Sequence, residues 1–417
     1  SAEKKLGRRT QAEWGKRPHN DGRFQAWGIS FMELTNEFIN RRTAELKDDV
    51  LATWRSLVDR DCGTGNKAGV DACGKDVAVF LESIGFKVRF HEYETAGNLL
   101  VAEKGVEDAT KPFIVLVGHL DTVFADGTAA ERPFTADGNR VTGPGALDMK
   151  GGVTVMLYAL KILSETDWDK FRIKVLLAGD EENGHKNSGA GDDLLKEADG
   201  ACYGLNFETS YEDNSIVIER KGVAQFRIDI DGIGAHVGND PKGGRSAVTE
   251  LAHKIIEINA LTNYEEGSTL NVGVVGGGTV PNACAEKAWA LVDLRYRTLE
   301  GYDRVEAGLK ALETKHDVAG TKTRVKRIAK VDPMLRLTSS MALFEKANHA
   351  AIENGFPAMT AKEVGGGSDS AYLTCVGVPT LCALGVKGAF NHTVREYALL
   401  DSVFERIRLT ATLLRDL

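Results

Sequence analysis

The sequence of 417 residues contains no apolar run that approaches the length of a membrane-spanning helix. Its longest apolar runs, such as residues 113–118 and 175–178, are far shorter than the roughly 20 residues that a bilayer requires. We therefore expect a soluble protein with no membrane partner. The chain also opens without an apolar signal segment, which favours a cytoplasmic location and leaves a periplasmic or secreted one open after signal removal.

Positive charge and paired cysteines are also scarce. Asp and Glu (60) outnumber Lys and Arg (52), for a net charge of -8, whereas nucleic-acid binding needs a surplus of basic residues. We therefore exclude a nucleic-acid partner and expect a small-molecule substrate. The six cysteines form no C-x-x-C pair and are too sparse for a disulfide scaffold, so we expect reduced and mostly buried thiols.

Length and composition point to more than one folded unit. Hydrophobic residues make up 42% and charged residues 27%, which is ordinary for a soluble globular protein, but 417 residues exceed one core of usual size. We divide the chain into an N-terminal arm and helix (1–44), a first catalytic part (45–218), an inserted unit (219–330) and a second catalytic part (331–417). The arm itself, residues 1–22, is polar and basic.

Hydrophobic patterning predicts an α/β fold with a mainly parallel sheet flanked by helices. Buried-type strands are expected at residues 113–118, 171–178, 203–207 and 378–384, and helices at 24–59 (two), 152–164, 341–354 and 401–414. Between these halves the predicted order is strand 224–231, helix 247–259, strands 269–275 and 288–296, helix 302–315 and strand 322–329. That βαββαβ order is typical of an inserted ferredoxin-like α+β unit.

Acidic and histidine side chains follow the predicted strands of the parallel sheet. His119 follows the first strand, Glu181 and Glu182 the second, Glu208 the third and His392 the last. Ligands of parallel α/β sheets bind outside the carboxyl ends of the strands, so these side chains are expected to meet in one cleft.

The predicted ligands of a metal site are two imidazoles and three carboxylates: His119, Asp148, Glu182, Glu208 and His392. Such nitrogen and oxygen donors suit Zn²⁺, and Co²⁺ or Mn²⁺ can also occupy them. Five protein ligands exceed the usual three of one catalytic zinc. We therefore expect two ions roughly 3.5 to 4 Å apart, bridged by Asp148.

Other interpretations of these residues are less favoured. A lone His-x-Asp is more often a hydrogen-bonded pair than a metal site, but four such coincidences after four strands are harder to accept. Ser368 and Ser370 lack the G-x-S-x-G context of a nucleophilic serine, and no His-Glu-x-x-His occurs. The glycines at 276–278 lack the Gly-Lys-Ser/Thr of a phosphate loop.

Three motifs resemble a known family. The chain reads G-H-L-D-T-V at 118–123, G-A-L-D-M-K-G-G at 145–152 and D-E-E at 180–182. They resemble the co-catalytic zinc metallopeptidase family of acetylornithine deacetylase, succinyl-diaminopimelate desuccinylase, aminoacylase and glutamate carboxypeptidase. The resemblance runs from about residue 57 to the C-terminus and implies a zinc exopeptidase-like fold with a lid and dimerisation domain.

The resemblance also implies roles for individual residues. The five predicted ligands would bind two Zn²⁺ ions per subunit, Asp121 would orient His119, and Glu181 would act as general base. His236, which lies in the inserted unit, would stabilise the oxyanion, often across a dimer. A homodimer is therefore the expected partner state.

The substrate class also follows from the resemblance. The segment G-G-G-S-D-S-A-Y at 365–372 resembles G-G-G-T-D-A-A-Y of glutamate carboxypeptidase, which makes Gly367 and Ser368 candidates for substrate binding. Asn282 and Arg295 match positions that help hold substrate, and Lys330 stands near the usual place of a clamping arginine. We expect release of a C-terminal amino acid from a small peptide or N-acyl amino acid. The alternatives are an N-acyl-amino-acid deacylase, a dipeptidase, or a metal-bound scaffold without turnover.

Overall fold

The computed structural model describes residues 33–417. The arm predicted at 1–22 and the start of the first predicted helical stretch lie outside the described residues. The helices are α1 (Asn36–Glu45), α2 (Lys47–Val58), α3 (Lys67–Ser83), α4 (Thr128–Glu131), α5 (Lys150–Ser164), α6 (Ala190–Ala198), α7 (Ala247–Ala260), α8 (Leu299–Ala311), α9 (Thr338–Glu353), α10 (Ser370–Cys375) and α11 (Leu400–Asp416). Across these residues, every helix is too short or too polar to cross a membrane.

Sixteen strands lie among the described residues. They are β1 (Lys87–His91), β2 (Gly97–Lys104), β3 (Phe113–His119), β4 (Thr135–Asp137), β5 (Arg140–Thr142), β6 (Arg172–Gly179), β7 (Tyr203–Asn206), β8 (Ser215–Arg220), β9 (Gly222–Asp231), β10 (Thr269–Gly277), β11 (Lys287–Tyr296), β12 (Lys322–Val331), β13 (Thr360–Val364), β14 (Thr380–Leu381), β15 (Gly388–Ala389) and β16 (Tyr397–Leu399).

The largest sheet has six strands in the order β1-β2-β6-β3-β7-β14. The four strands β6, β3, β7 and β14 run parallel, whereas β2 is antiparallel to both of its neighbours. The predicted fold class, a mainly parallel sheet flanked by helices, is confirmed. The two antiparallel strands β1 and β2 were not predicted.

Side chains of the central strands alternate between two apolar layers. Ile114 and Leu116 of β3 belong to the large core that contains α5 and α11, and Val115 and Val117 belong to a second core with Leu194 of α6. Because both faces are covered, β3 and β6 are almost continuously buried. Helix α5 is buried on nearly its whole circumference for the same reason.

Residues 222–331, which we call the lid, form a separate two-layer unit of one sheet and two helices, with its own core. Its sheet has the antiparallel order β10-β11-β9-β12, and α7 and α8 pack with it. The buried residues of β9 alternate with more exposed ones, as in a strand with one covered face. This is the βαββαβ arrangement that the sequence pattern indicated. The domain boundaries at residues 219 and 330 stay a prediction.

Short strands build two small sheets that the sequence pattern did not predict. Strands β8 and β13 pair in parallel, and β15, β16, β5 and β4 form a four-stranded sheet. The predicted strand at 378–384 is only two residues long, because the backbone turns at Ala383, whose φ is 68°. The chain then enters β15, which leads to His392.

Candidate active site

The register of the parallel strands brings three predicted site segments to one edge of the main sheet. His119 of β3 lies opposite Ala178 of β6, and Val117 of β3 lies opposite Asn206 of β7. Glu181 and Glu208, which follow β6 and β7, therefore emerge beside His119. The amide of Asn206 donates to Ser370 Oγ (2.7 Å), and its oxygen accepts from the backbone N–H of Glu208 (3.2 Å).

Asp148 reaches this edge from the turn that precedes α5. The buried carboxylate of Glu396 accepts hydrogen bonds from the backbone N–H groups of Leu147 (2.8 Å) and Asp148 (3.3 Å). A Cβ at Gly152 would lie 1.9 Å from the carbonyl oxygen of Phe207, so only glycine lets the start of α5 pack against the end of β7.

His392 completes the group from the loop between β15 and β16. Its φ of 62° is unusual for a residue with a side chain, and such conformations concentrate at functional sites. Its neighbour Asn391 donates from Nδ2 to Asp148 Oδ2 (3.0 Å). The imidazole is half exposed at the mouth of the cleft.

Two groups of side chains share the carboxylate of Asp148. On one side, His119 Nε2 lies 3.3 Å from Asp148 Oδ1 and 3.5 Å from Glu208 Oε1. On the other, His392 Nε2 lies 3.1 Å from Asp148 Oδ2 and 3.0 Å from Glu182 Oε2. In each group the ligand atoms lie within 4.8 Å of one another, close enough to hold one metal ion.

The hydrogen bonding inside this cluster is incomplete. His119 Nε2 and Asp148 Oδ1 are both buried, and neither has a hydrogen-bond partner among the described residues. His119 Nδ1 donates to the backbone carbonyl of Asp121 (3.0 Å), so the lone pair on Nε2 faces the carboxylates. Unpartnered buried polar atoms are costly, and a bound cation would satisfy both. The residues present therefore fit a metal ion.

The electrostatics of the cluster also call for positive charge. Burial opposes protonation of His119, but the carboxylates of Asp121, Asp148, Glu208 and Glu181 raise the pKa of its imidazole well above the ordinary value. Contacts with Asp148 and Glu182 raise the pKa of His392 to about 11. Burial raises the pKa of Glu182 to about 7 and that of Glu181 well above its usual range. Without a cation, the cluster binds protons instead.

Asp121 contacts both His119, the histidine that the resemblance implies it orients, and the turn that follows β6. Its carboxylate accepts hydrogen bonds from the backbone N–H groups of Glu181 (3.1 Å) and Glu182 (3.2 Å) and from Thr64 Oγ1 (2.7 Å). His119 Nδ1 lies 3.4 Å from the same carboxylate but donates to the backbone carbonyl of Asp121. Asp121 thus holds both the imidazole and the turn that follows β6.

A cleft adjoins the cluster on two sides. A cavity of about 560 Å³ is lined by Glu181, Glu208 and Gly367, and a second of about 330 Å³ is lined by Glu181, Gly367 and Ser368. Arg295 of the lid lines the second cavity, but its Nε already donates to Asp293 (2.8 Å).

Lys330 lies away from the two cavities described above. Its neighbours Ala329 and Val331 line the second cavity, whereas its ammonium group pairs with Asp332 (2.7 Å) and lies over the ring of Tyr302. A strand alternates its side chains between two faces, which accounts for the opposite orientation of Lys330.

Arg220 is a cleft residue that the sequence reasoning missed. It is only 7% exposed, lines the larger cavity, and donates from Nη1 to the carbonyls of Gly366 (3.2 Å) and Gly367 (3.3 Å). Its Nε donates to Cys382 Sγ (3.3 Å), and among residues 33–417 no carboxylate lies within ion-pair distance of it, although the charge of Glu208 acts on it. In the sequence, Arg220 stands between Glu219 and Lys221 and looks like part of an ordinary charged strand end.

His236 and Asn282 lie together in the lid, away from the cluster of this chain. The backbone carbonyl of Asn282 accepts from Val237 N (3.1 Å), next to His236. His236 is exposed, and its Nδ1 accepts from the backbone N–H groups of Gly238 and Asn239 (3.2 Å each), which leaves Nε2 to carry the proton in the neutral ring. Neither residue lines either of the two cavities beside the cluster.

Comparison with known proteins adds a family match. The model of peptidase family M20/M25/M40 matches residues 115–416. Carboxypeptidase G2 from Pseudomonas sp. (strain RS-16) is 29% identical over 408 residues, which cover 94% of each chain.

Solved structures share the fold. The aminopeptidase PepT from Bacillus cereus ATCC 10987 superimposes with a TM-score of 0.75 at 20% identity, over 89% of this chain and 98% of that one. The M20 family metallo-carboxypeptidase Sso-CP2 from Sulfolobus solfataricus gives a TM-score of 0.71 at 17% identity, over 88% and 99%. At these identities the likeness shows the fold alone.

Proposed function

Because the chain belongs to peptidase family M20/M25/M40, we propose that it is a metallo-carboxypeptidase that releases a C-terminal amino acid from a small peptide or an N-acyl amino acid. Membership confirms the resemblance drawn from the motifs. It makes the protein a hydrolytic enzyme that acts on peptide bonds with a metal cofactor. The number and identity of the ions, the residue roles and the substrate are parts of the proposal.

The observation that carries the proposal is the pair of ligand groups that share Asp148 beside Glu181. Each oxygen of Asp148 faces one histidine and one further carboxylate, which supports two ions bridged by Asp148. His119 and Glu208 would hold one ion and Glu182 and His392 the other. Zn²⁺ is the ion that best suits these donors. Bound there, such ions would supply Lewis-acid activation of a water molecule and of the scissile carbonyl.

Glu181 is the proposed general base. Its carboxylate oxygen lies 4.0 Å from His119 Nε2, at the wall shared by both cavities, and it has no place in either ligand group. It would take a proton from the attacking water and deliver it to the departing nitrogen. Burial raises the pKa of Glu181 well above its usual range in the cluster without metal, and bound cations would lower it towards the range in which the group can take up and release a proton.

Arg220 is the best candidate for recognising a free carboxylate. Its buried guanidinium lines the larger cavity and has no carboxylate within ion-pair distance among the described residues, so a substrate carboxylate there would supply a direct partner. Arg295 is a weaker candidate because Asp293 already neutralises it, and Lys330 is weaker still because it pairs with Asp332. Gly367 and Ser368 would shape the wall between the two cavities.

A homodimer through the lid is also part of the proposal. Strand β10 lies at the edge of the lid sheet, and Val274 and Val275 of this strand and Ile256 of α7 are exposed. An exposed strand edge with apolar side chains favours pairing with a second chain. The exposed His236 would then act on the cleft of the partner subunit as an oxyanion donor.

The test is release of free amino acid from folyl-glutamate, N-acyl amino acids and dipeptides, by the zinc-loaded protein with and without a chelator. Chelator-sensitive cleavage of acyl- or folyl-glutamate is the expected result. Cleavage of short-chain N-acyl amino acids alone would favour a deacylase, and cleavage of free dipeptides alone a dipeptidase. No cleavage despite bound zinc would contradict the proposal and favour a scaffold.

A further inference from the structure

A second histidine and carboxylate cluster lies at the wall of the second cavity, which His185, Asp369 and Tyr372 help to line. His185 Nδ1 lies 3.0 Å from Asp180 Oδ1, and His185 Nε2 lies 2.7 Å from Asp369 Oδ1. All three side chains are buried. The ring of Tyr372 covers the imidazole, with 5.5 Å between the ring centroids.

The contacts of His185 favour a positively charged ring. An ionised carboxylate can only accept a hydrogen bond, so with Asp180 and Asp369 ionised each ring nitrogen carries a proton, and these two carboxylates raise the pKa of His185 well above its ordinary value although burial opposes this. Ser188 Oγ also donates to Asp180 Oδ1 (2.8 Å), which keeps that oxygen in the acceptor role. His185 is therefore an imidazolium that joins two carboxylates 189 residues apart in sequence, at positions 180 and 369.

The cluster connects the two walls of the cleft. Asp180 directly precedes the turn that carries Glu181 and Glu182, and His185 follows that turn with a φ of 57°. Asp369 begins α10, immediately after the loop at 365–368 that lines both cavities. Among residues 33–417, no other side-chain hydrogen bond or ion pair joins this turn to this loop.

We propose that His185 is a positioning residue for the hydrolytic reaction, because it locks the turn that carries Glu181 to the loop that lines the substrate cleft. Resting on the proposed function, this gives His185 an indirect role in proton transfer, in which it holds Glu181 at the required distance. A misplacement of about 1 Å can cost about 100-fold in rate. Asp180 Oδ2 and Asp369 Oδ2 have no hydrogen-bond partner among the described residues. In residues 33–417, the His185 ring is the one cationic group in ion-pair contact with these two carboxylates.

The experiment compares His185→Gln with the wild type and with His316→Gln, a matched change at an exposed histidine outside the cleft. We expect His185→Gln to lower kcat by about 10- to 100-fold with KM changed less than about 3-fold and metal content unchanged. His316→Gln should stay within about 2-fold of the wild type. The nitrogen NMR signals of His185 should show both ring nitrogens protonated near pH 8, above the usual pKa of about 6.5.

A double-mutant cycle separates positioning from a general loss of stability. In the Asp369→Asn background, where the link is already broken, His185→Gln should cost several-fold less in kcat than in the wild type. If His185→Gln lowered kcat by the same factor in both backgrounds, the two substitutions would act independently and the inference would be overturned. So would an unchanged kcat in His185→Gln, or a neutral ring at pH 8. An inactive wild type would instead overturn the proposed function, and this inference with it, so the two failures are distinguishable.

Discussion

Two histidine and carboxylate clusters lie side by side at the edge of the main sheet, and they differ in how their polar atoms are satisfied. In the first, around Asp148, His119 Nε2 and Asp148 Oδ1 face each other without a hydrogen bond. In the second, both ring nitrogens of His185 donate to carboxylates. The same residue types therefore produce one incomplete cluster and one that contains its own cation.

The difference follows from the number of positive charges that each cluster supplies. Around Asp148, Glu181, Glu182 and Glu208 add three further carboxylates to two imidazoles that a metal ion would require to be neutral. Buried carboxylates without a counter-charge are costly, so this cluster depends on a cation from outside. The His185 cluster depends on its own proton. Metal removal should thus affect one cluster and leave the other intact.

The largest effect is expected from removal of the shared ligand. Asp148→Asn should abolish tight binding of both ions and lower kcat/KM by about 10³-fold or more, since the ions contribute several kcal/mol of transition-state stabilisation. Metal analysis of the purified variant and hydrolysis assays check this. Asp169→Asn, an exposed change at the far end of the sheet, is the control. Full metal content in Asp148→Asn would contradict the bridging role.

The next effect separates the base from the ligands. Glu181→Gln should lower kcat by about 10² to 10⁴-fold while both ions stay bound, because proton transfer is lost but no ligand is removed. Glu182→Gln should lose metal as well as activity. Parallel metal analysis and turnover of the two variants distinguish them. Unchanged turnover in Glu181→Gln would remove it as the base.

A smaller effect concerns the carboxylate of the substrate. Arg220→Lys keeps the charge but loses the planar fork, so KM for a substrate with a free carboxylate should rise about 10-fold or more. Lys330→Met should change KM by less than about 2-fold, because Lys330 pairs with Asp332 outside the cavities. Steady-state kinetics on one acyl amino acid and its methyl ester make the comparison. The opposite ranking would restore Lys330 as the clamp.

The smallest effect concerns stability at a third histidine and carboxylate contact, distant from the cleft. Burial opposes ionisation of Glu197, but hydrogen bonds from Lys174, Arg89 and His91 lower its pKa to about 2. This pKa lies below the unfolded value, so the stabilisation is present above about pH 4.5 and is lost as the pH falls towards 2. Glu197→Gln should cost on the order of 1 to 3 kcal/mol of unfolding free energy at pH 7.

Denaturant unfolding of the wild type and of Glu197→Gln at several pH values measures this difference. The gap between the two proteins should narrow below about pH 4.5, and catalytic activity at pH 7 should be unchanged. A gap that stays constant with pH would mean that the loss comes from packing and not from the charge of Glu197.

Much of the main sheet could be predicted from the sequence because its strands are buried on both faces. The apolar runs that became β3 and β6 end at His119 and just before Asp180, so the residues that meet at the sheet edge were visible as a pattern. The lid was equally visible, since its long strands and helices alternate with clear periodicity. Strands of two or three residues, such as β15 and β16, carry no such period and were missed.

The orientation of single side chains was decided only by the tertiary structure. The pairing of β12 with β9 is irregular between Arg327 and Ala329, and this shifts which side chains after it face each side of the strand. Ala329 and Val331 therefore line the second cavity, and Lys330 faces away from it. The buried environment of Arg220 and the contact of His185 with Asp369 depend on segments that are distant in sequence.

By itself, the sequence determined the fold class, the family and the kinds of side chain that gather at the edge of the sheet, because local periodicity and strand-end motifs encode them. Only the tertiary structure decided which carboxylates lack a partner and which charges are already neutralised. The physical reason is that burial and hydrogen bonding are properties of all the neighbours of a group, and most of those neighbours come from elsewhere in the chain.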